Sequence, residues 1–185
     1  MPSSVARVFW PLLAIGLLLA GSAEAARKEA IDANVVAALE SFKAKIPLAG
    51  ELMEKASGIL VFPKVFKAGF VIGGAVGDGA LLVRGETVQY YRTSAISYGF
   101  QLGAQQRTEI VMFMSDDALE RFRAGNGWQA GIDGSIAVIT FGAGNSIDTD
   151  NIKEPIIGFI FDDKGLMFDL SFKGSKYWKV DNPDL

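Results

Sequence analysis

The sequence predicts an α+β domain: a strongly curved, largely antiparallel, glycine-rich sheet, barrel-like or sandwich-like, covered by an N-terminal helix and one internal helix. Three observations carry that expectation. Runs of aromatic and β-branched residues recur from residue 58 onward, separated by turn residues. Glycines stand inside those runs, at Gly69, Gly73, Gly74, Gly99 and Gly103, where each weakens a flat strand and marks a bend, a bulge or a close backbone approach. Two further stretches carry apolar residues at helical spacing. Many short strands with terminal and inserted helices give α+β rather than an alternating parallel layer.

The chain opens like an export leader. Arg7 precedes an apolar stretch over 8–20, broken only by Pro11 and Gly16, and Ala23-Glu24-Ala25 supplies a small-x-small cleavage pattern before Ala26. The apolar run is shorter than the roughly 20 residues a bilayer requires. Residues 1–25 are therefore expected to be removed, leaving 26–185 as one domain. Over 27–44, Ile31, Val35, Leu39, Phe42 and Ile46 recur at steps of three and four, widened by Val36 and Ala38. Lys28, Asp32, Glu40 and Lys43 take the other face, and their mixed signs suit a helix lying on a sheet better than one lying on an anionic membrane. Pro47 stops that helix, and 48–55 reads as a second short one.

Strands are expected over 58–62, 66–76, 80–84 and 87–92, with Gly77-Asp78-Gly79 and Gly85-Glu86 as tight turns. Segments 95–105 and 109–114 follow. Ser115 caps a helix over 117–123, with Asp116 and Asp117 where the helix dipole favours negative charge, and Gly125-Asn126-Gly127 ends it. Strands over 131–141 and 155–161 come next. Asp162-Asp163-Lys164-Gly165 then forms a hairpin turn into 166–172.

Composition excludes whole classes of chemistry. The chain has no cysteine and no histidine, which removes disulfides, thiol nucleophiles, the commonest general base and the commonest metal ligand. Gly74-Ala75-Val76-Gly77-Asp78-Gly79 has neither the spacing nor the following helix of a nucleotide loop. Asp148-Thr149-Asp150-Asn151 with Glu154 is the best cation candidate, but it lacks the glycine turn and distal glutamate of a calcium loop and reads as a solvated loop. No catalytic residue, metal or cofactor is expected. The net charge of −3 gives no general attraction to nucleic acid. Approach to anionic lipid would need a local patch.

Ala56-Ser57-Gly58-Ile59-Leu60-Val61-Phe62-Pro63-Lys64-Val65-Phe66-Lys67-Ala68-Gly69-Phe70, read with Ser97-Tyr98-Gly99-Phe100-Gln101-Leu102-Gly103-Ala104-Gln105, resembles the SYLF domain family. The resemblance covers most of 26–180. Tyr90-Tyr91-Arg92-Thr93 departs from it, standing where members carry a Trp-Ser-x-Pro-like segment. The resemblance implies a non-enzymatic module that binds lipid or a membrane surface; eukaryotic members are linked to phosphoinositides and actin. With the leader, this places the protein in the periplasm or outside the cell. Lys64 and Lys67, the basic residues of the motif, and Phe66 and Trp178 are the candidate lipid contacts. In an extended strand the two lysines point to opposite faces unless a bend or bulge brings them together. The alternative is a cell-envelope structural or protein-interaction domain, with an envelope protein as partner and no specific lipid.

Overall fold

The computed structural model describes residues 6–69, 72–98, 103–139, 153–162, 165–166 and 171–180. Helix α1 (Ala6–Lys45) and helix α2 (Ala49–Lys55) precede four long strands: β1 (Gly58–Gly69), β2 (Ile72–Val83), β3 (Glu86–Tyr98) and β4 (Gly103–Phe113). Helix α3 (Asp116–Ala124) follows, then β5 (Gly127–Gln129), β6 (Ala137–Val138), β7 (Ile156–Asp162), β8 (Gly165–Leu166) and β9 (Lys176–Lys179). One sheet takes them in the order β5-β9-β3-β2-β1-β4-β7-β6, with β8 on β7. Every pairing is antiparallel except β6 on β7. The α+β expectation holds.

Over most of its length the sheet is buried on both sides. One face packs Ile59, Val61, Ala80, Leu82, Ile110 and Met112 under α1 and α2, where Phe42 reaches β7 and meets Phe159 edge-on at 4.7 Å. The other face packs Leu60, Phe62, Leu81, Val111 and Phe113 under α3 and the C-terminal segments. This second face is concave. Three strand spacings separate β9 from β1, roughly 14 Å on a flat sheet, yet the rings of Tyr177 and Phe62 lie 5.5 Å apart. Ser115 caps α3, its hydroxyl accepting from the Ala118 N–H at 3.3 Å. Among the described residues no helix is long and apolar enough to cross a membrane.

The strand expectations need four corrections. The segment read as one strand over 66–76 is the end of β1 and the start of β2, with Gly69 paired to Gly73, joined through 70–71 outside the described residues. Gly77-Asp78-Gly79 is not a turn; β2 runs straight through it. The 95–105 segment is likewise two strands, the end of β3 and the start of β4, joined through 99–102 outside the described residues. The last correction concerns the C-terminal half: residues 131–133 form a turn and, among the described residues of 131–141, only Ala137–Val138 is strand, while β9 occupies a tail not read as a strand at all. The turn expected at Gly85-Glu86 lies one residue earlier. Arg84 (φ 54°) and Gly85 (φ 84°) form it, the paired positive φ that matches strand twist in a two-residue hairpin. The helix expected over 27–44 extends back to Ala6, and helix α3 gains a residue at each end.

The glycines of β2 answer to a bulge in β1. Between Val61 and Lys64 strand β1 advances three residues while β2 advances two, from Ala80 to Asp78, and β4 shows the same mismatch across Phe62 and Val65. The extra residue lies at Phe62-Pro63. Its backbone leans on β2: a Cβ at Gly79 would stand 2.1 Å from the Val61 carbonyl oxygen, and one at Gly77 2.8 Å from that of Lys64. The Pro63 carbonyl accepts from the Thr108 hydroxyl at 3.0 Å, which satisfies a group the bulge takes off the ladder.

Candidate functional site

Strand pairing past the bulge generates a surface the sequence does not display as a unit. Lys64 pairs with Asp78, Asp78 with Arg92 and Arg92 with Trp178, one row across β1, β2, β3 and β9. Phe66, Val76, Ser94 and Lys176 form the next row, and Ala68, Gly74 and Ile96 the third. Residues two apart along a strand share a face, so all three rows lie on the α1 side. The helix covers this face only before the bulge. Beyond it Phe66 is 54% exposed, Val76 51% and Ile96 68%, a bare apolar strip on a sheet whose corresponding positions nearer the helix are buried. Lys64 and Lys176 are exposed beside it, and Trp178 is half-buried at its margin.

An ion network ties α1 to this surface. Asp78 accepts from Arg92 Nε at 2.6 Å and from Arg27 of α1. Burial alone would push the Asp78 carboxyl up, but the hydrogen bonds and charges of the two guanidinium groups outweigh it and hold the carboxyl below its ordinary value. One turn further along α1, Asp32 accepts from Tyr90 Oη at 2.8 Å and Thr87 Oγ1 at 2.9 Å. Partial burial, with the bond and charge of Asp32, pushes the Tyr90 phenol up to about 12. Between α1 and the strip lies a groove of about 280 Å³, lined by Ile31 and Asn34 on one side and by Pro63, Lys64, Phe66 and Val76 on the other.

Three of the four candidate lipid contacts thus share one face: Lys64, Phe66 and Trp178. Lys67 does not join them. The bulge falls before Lys64 rather than between the lysines, so 64 and 67 stay on opposite faces. Lys67 is half-buried on the concave side, where burial and then the charge of Arg107 lower its pKa. Arg107 pairs there with Glu109, Nε to Oε1 at 2.8 Å, with the two side chains 5% and 1% exposed. The other Glu109 oxygen has no hydrogen-bond partner among the described residues, and burial pushes its carboxyl up against the pull of Arg107. Tyr177, next to Trp178, is a core residue, buried against Phe62, Phe122 and Trp128.

Sequence reasoning missed Val76, Ile96, Arg92 and Lys176, whose membership depends on register; pairing Gly69 with Gly73 sets Phe66 opposite Val76. Of the glycines expected to fix the fold, Gly99 lies outside the described residues. Gly69, Gly73 and Gly103 meet at the sheet end, where Gly69 pairs with both of the others. Gly74 has nothing within 4 Å of a Cβ, so sterics do not require glycine there. Most of the candidate cation loop, 148–151, also lies outside the described residues, and among the described residues no group of three or more acidic side chains could hold a metal. Residues 94–183, from the middle of β3 past the end of β9, match the Ysc84 family, described as Las17-binding protein actin regulator. No curated protein matches the chain significantly.

Proposed function

We propose, on the premise that residues 94–183 belong to the Ysc84 (SYLF) family, that this protein is a non-enzymatic module that associates with lipid at a membrane surface, in the periplasm once its leader is removed. The family is one of binding modules. The observation that carries the reading is the bare sheet end: Phe66, Val76 and Ile96 exposed in adjacent rows, with Lys64 and Lys176 at their sides. Exposed apolar surface rimmed by polar groups marks an interaction site. The chain is acidic overall, but Lys64 and Lys176 stand exposed on this face, and a lysine near an anionic membrane surface contributes about 1 kcal/mol. Trp178 at the margin suits the half-wet level of the headgroups.

Vesicle co-sedimentation tests the reading. The protein is expected to bind anionic vesicles more tightly than zwitterionic ones, with a salt-resistant remainder from the apolar strip. Changing Lys64 to glutamine should weaken binding at low salt, and changing Lys67 should not, since it lies on the other face. Ile96→Asp should abolish the salt-resistant part. Wild-type protein that pellets with no vesicle refutes the reading.

A second reading, a protein-interaction domain of the envelope, draws on a different observation. Strand β3 beyond Ser94 and strand β4 before Thr108 have no outer partner strand among the described residues. Open edges of this kind accept an added strand. The family description, which names Las17 binding and actin regulation, also speaks of protein partners.

A further inference from the structure

We infer that the groove beneath α1 takes a single-chain anionic amphiphile, with its tail along Phe66 and Val76 and its head at Lys64; this rests on the lipid reading above and names the ligand class. Its floor is apolar, with Pro63, Phe66, Val76 and Gly77 contributed by the sheet and Ile31 by α1. Ligand pockets run from roughly 300 to 1,000 Å³, so a groove of about 280 Å³ lies at the small end, a size that suits one chain.

Charge selects the head. Lys64, Arg92 and Asp78 line the polar end of this groove, in a chain whose net charge is −3. Arg92 and Arg27 both bind Asp78, and the exposed Lys64 ammonium sets the local field at its end of the groove. An anionic head at Lys64 meets that field while its methylenes cover rings and methyls that now face water. A cationic or neutral head gains nothing from the rim.

Titration calorimetry of the purified protein with octanoate, decanoate and dodecanoate, each below its micellar concentration, is the test. The dissociation constant should tighten about fourfold per added methylene until the groove is full, the equivalent of ~0.8 kcal/mol. Lys64→Gln should weaken decanoate about fivefold, the equivalent of ~1 kcal/mol, and leave decanol unchanged. Val76→Asp, at an exposed position whose replacement leaves the melting temperature in place, should abolish binding of both. Decanol binding as tightly as decanoate overturns the inference. So does a wild type that binds anionic vesicles but no decanoate, and in that case the membrane reading stands. If neither binds, both fall. A stable dimer with Phe66 protected and no decanoate bound assigns the strip to a second copy and also overturns it.

Discussion

Two glycines of β2, Gly79 and Gly74, illustrate how unequal similar residues are. At Gly79 a Cβ would press on the Val61 carbonyl at 2.1 Å and on the Phe62 ring at 2.6 Å, and backbone cannot swing aside as a flexible side chain does. Gly79→Ala should destabilise by about 3 kcal/mol. Gly74→Ala, into open space, should be neutral within about 0.5 kcal/mol. Urea denaturation of the pair checks both, and equal losses would refute the bulge argument. Asp78 supplies a pH signature. Its folded carboxyl lies below the unfolded value of about 3.9, so the stability it contributes is complete above that pH and is lost as pH falls through the folded value. Asp78→Asn should lower stability at neutral pH by about 1 kcal/mol, and the gap to wild type should close in acid. Glu109, which burial pushes the other way, is common to both chains and cancels from the difference. Denaturation midpoints measured across acid pH decide it; a constant gap means Asp78 carries no linked proton.

Among the elements, α1 carries the most consequence. It holds the sheet by polar clasps at Arg27 and Asp32 and by an aromatic anchor at Phe42, which is fully buried against Phe159 and Phe161. Phe42→Ala should cost about 3–5 kcal/mol, and amide exchange should rise through α1 before it rises in β1. Unchanged exchange would mean the clasps alone hold the helix. This helix was legible because its stripe has one period along its length, and α3 because Ser115 and the following aspartates are a local signal. The hairpins were not. Gly77-Asp78-Gly79 has the composition of a turn but serves a close backbone approach inside β2, whereas the stretch over 66–76 has the composition of one strand and is divided between β1 and β2. Strand β9 is four residues long and is defined by its partners β3 and β5, which no local pattern announces. The candidate site shared that limit: single residues such as Lys64, Phe66 and Trp178 could be named, but not the rows that join them to Val76 and Ile96.

At the scale of the whole molecule, one sheet separates two cores, and the wet part of its surface is the end that α1 does not reach. Among the described side chains, hydrogen bonds from α1 to the sheet begin at Arg27, and Glu24 and Lys28 bond each other along the helix. Cleavage before Ala26 would therefore spare every described clasp. Intact-mass measurement of protein from the periplasm is expected to show loss of residues 1–25; a mass that includes them would refute export with processing.

The extra residue in β1 has an implication for how this chain can change length. Its neighbours β2 and β4 are continuous past Phe62-Pro63, so β1 holds one residue more than the ladder needs. A chain without Pro63 would keep Val61, Lys64 and Phe66 on the face they now occupy, and Val65 and Lys67 on the other. Such a deletion, ordinarily ruinous in a central strand because it turns the remainder inside out, is here the one that restores alternation. It would also withdraw the backbone that forbids a side chain at position 79. The proline and the glycine opposite it are thus a single heritable unit: loss of the first should free the second, and a lineage that dropped Pro63 would be expected to let Gly79 drift to alanine.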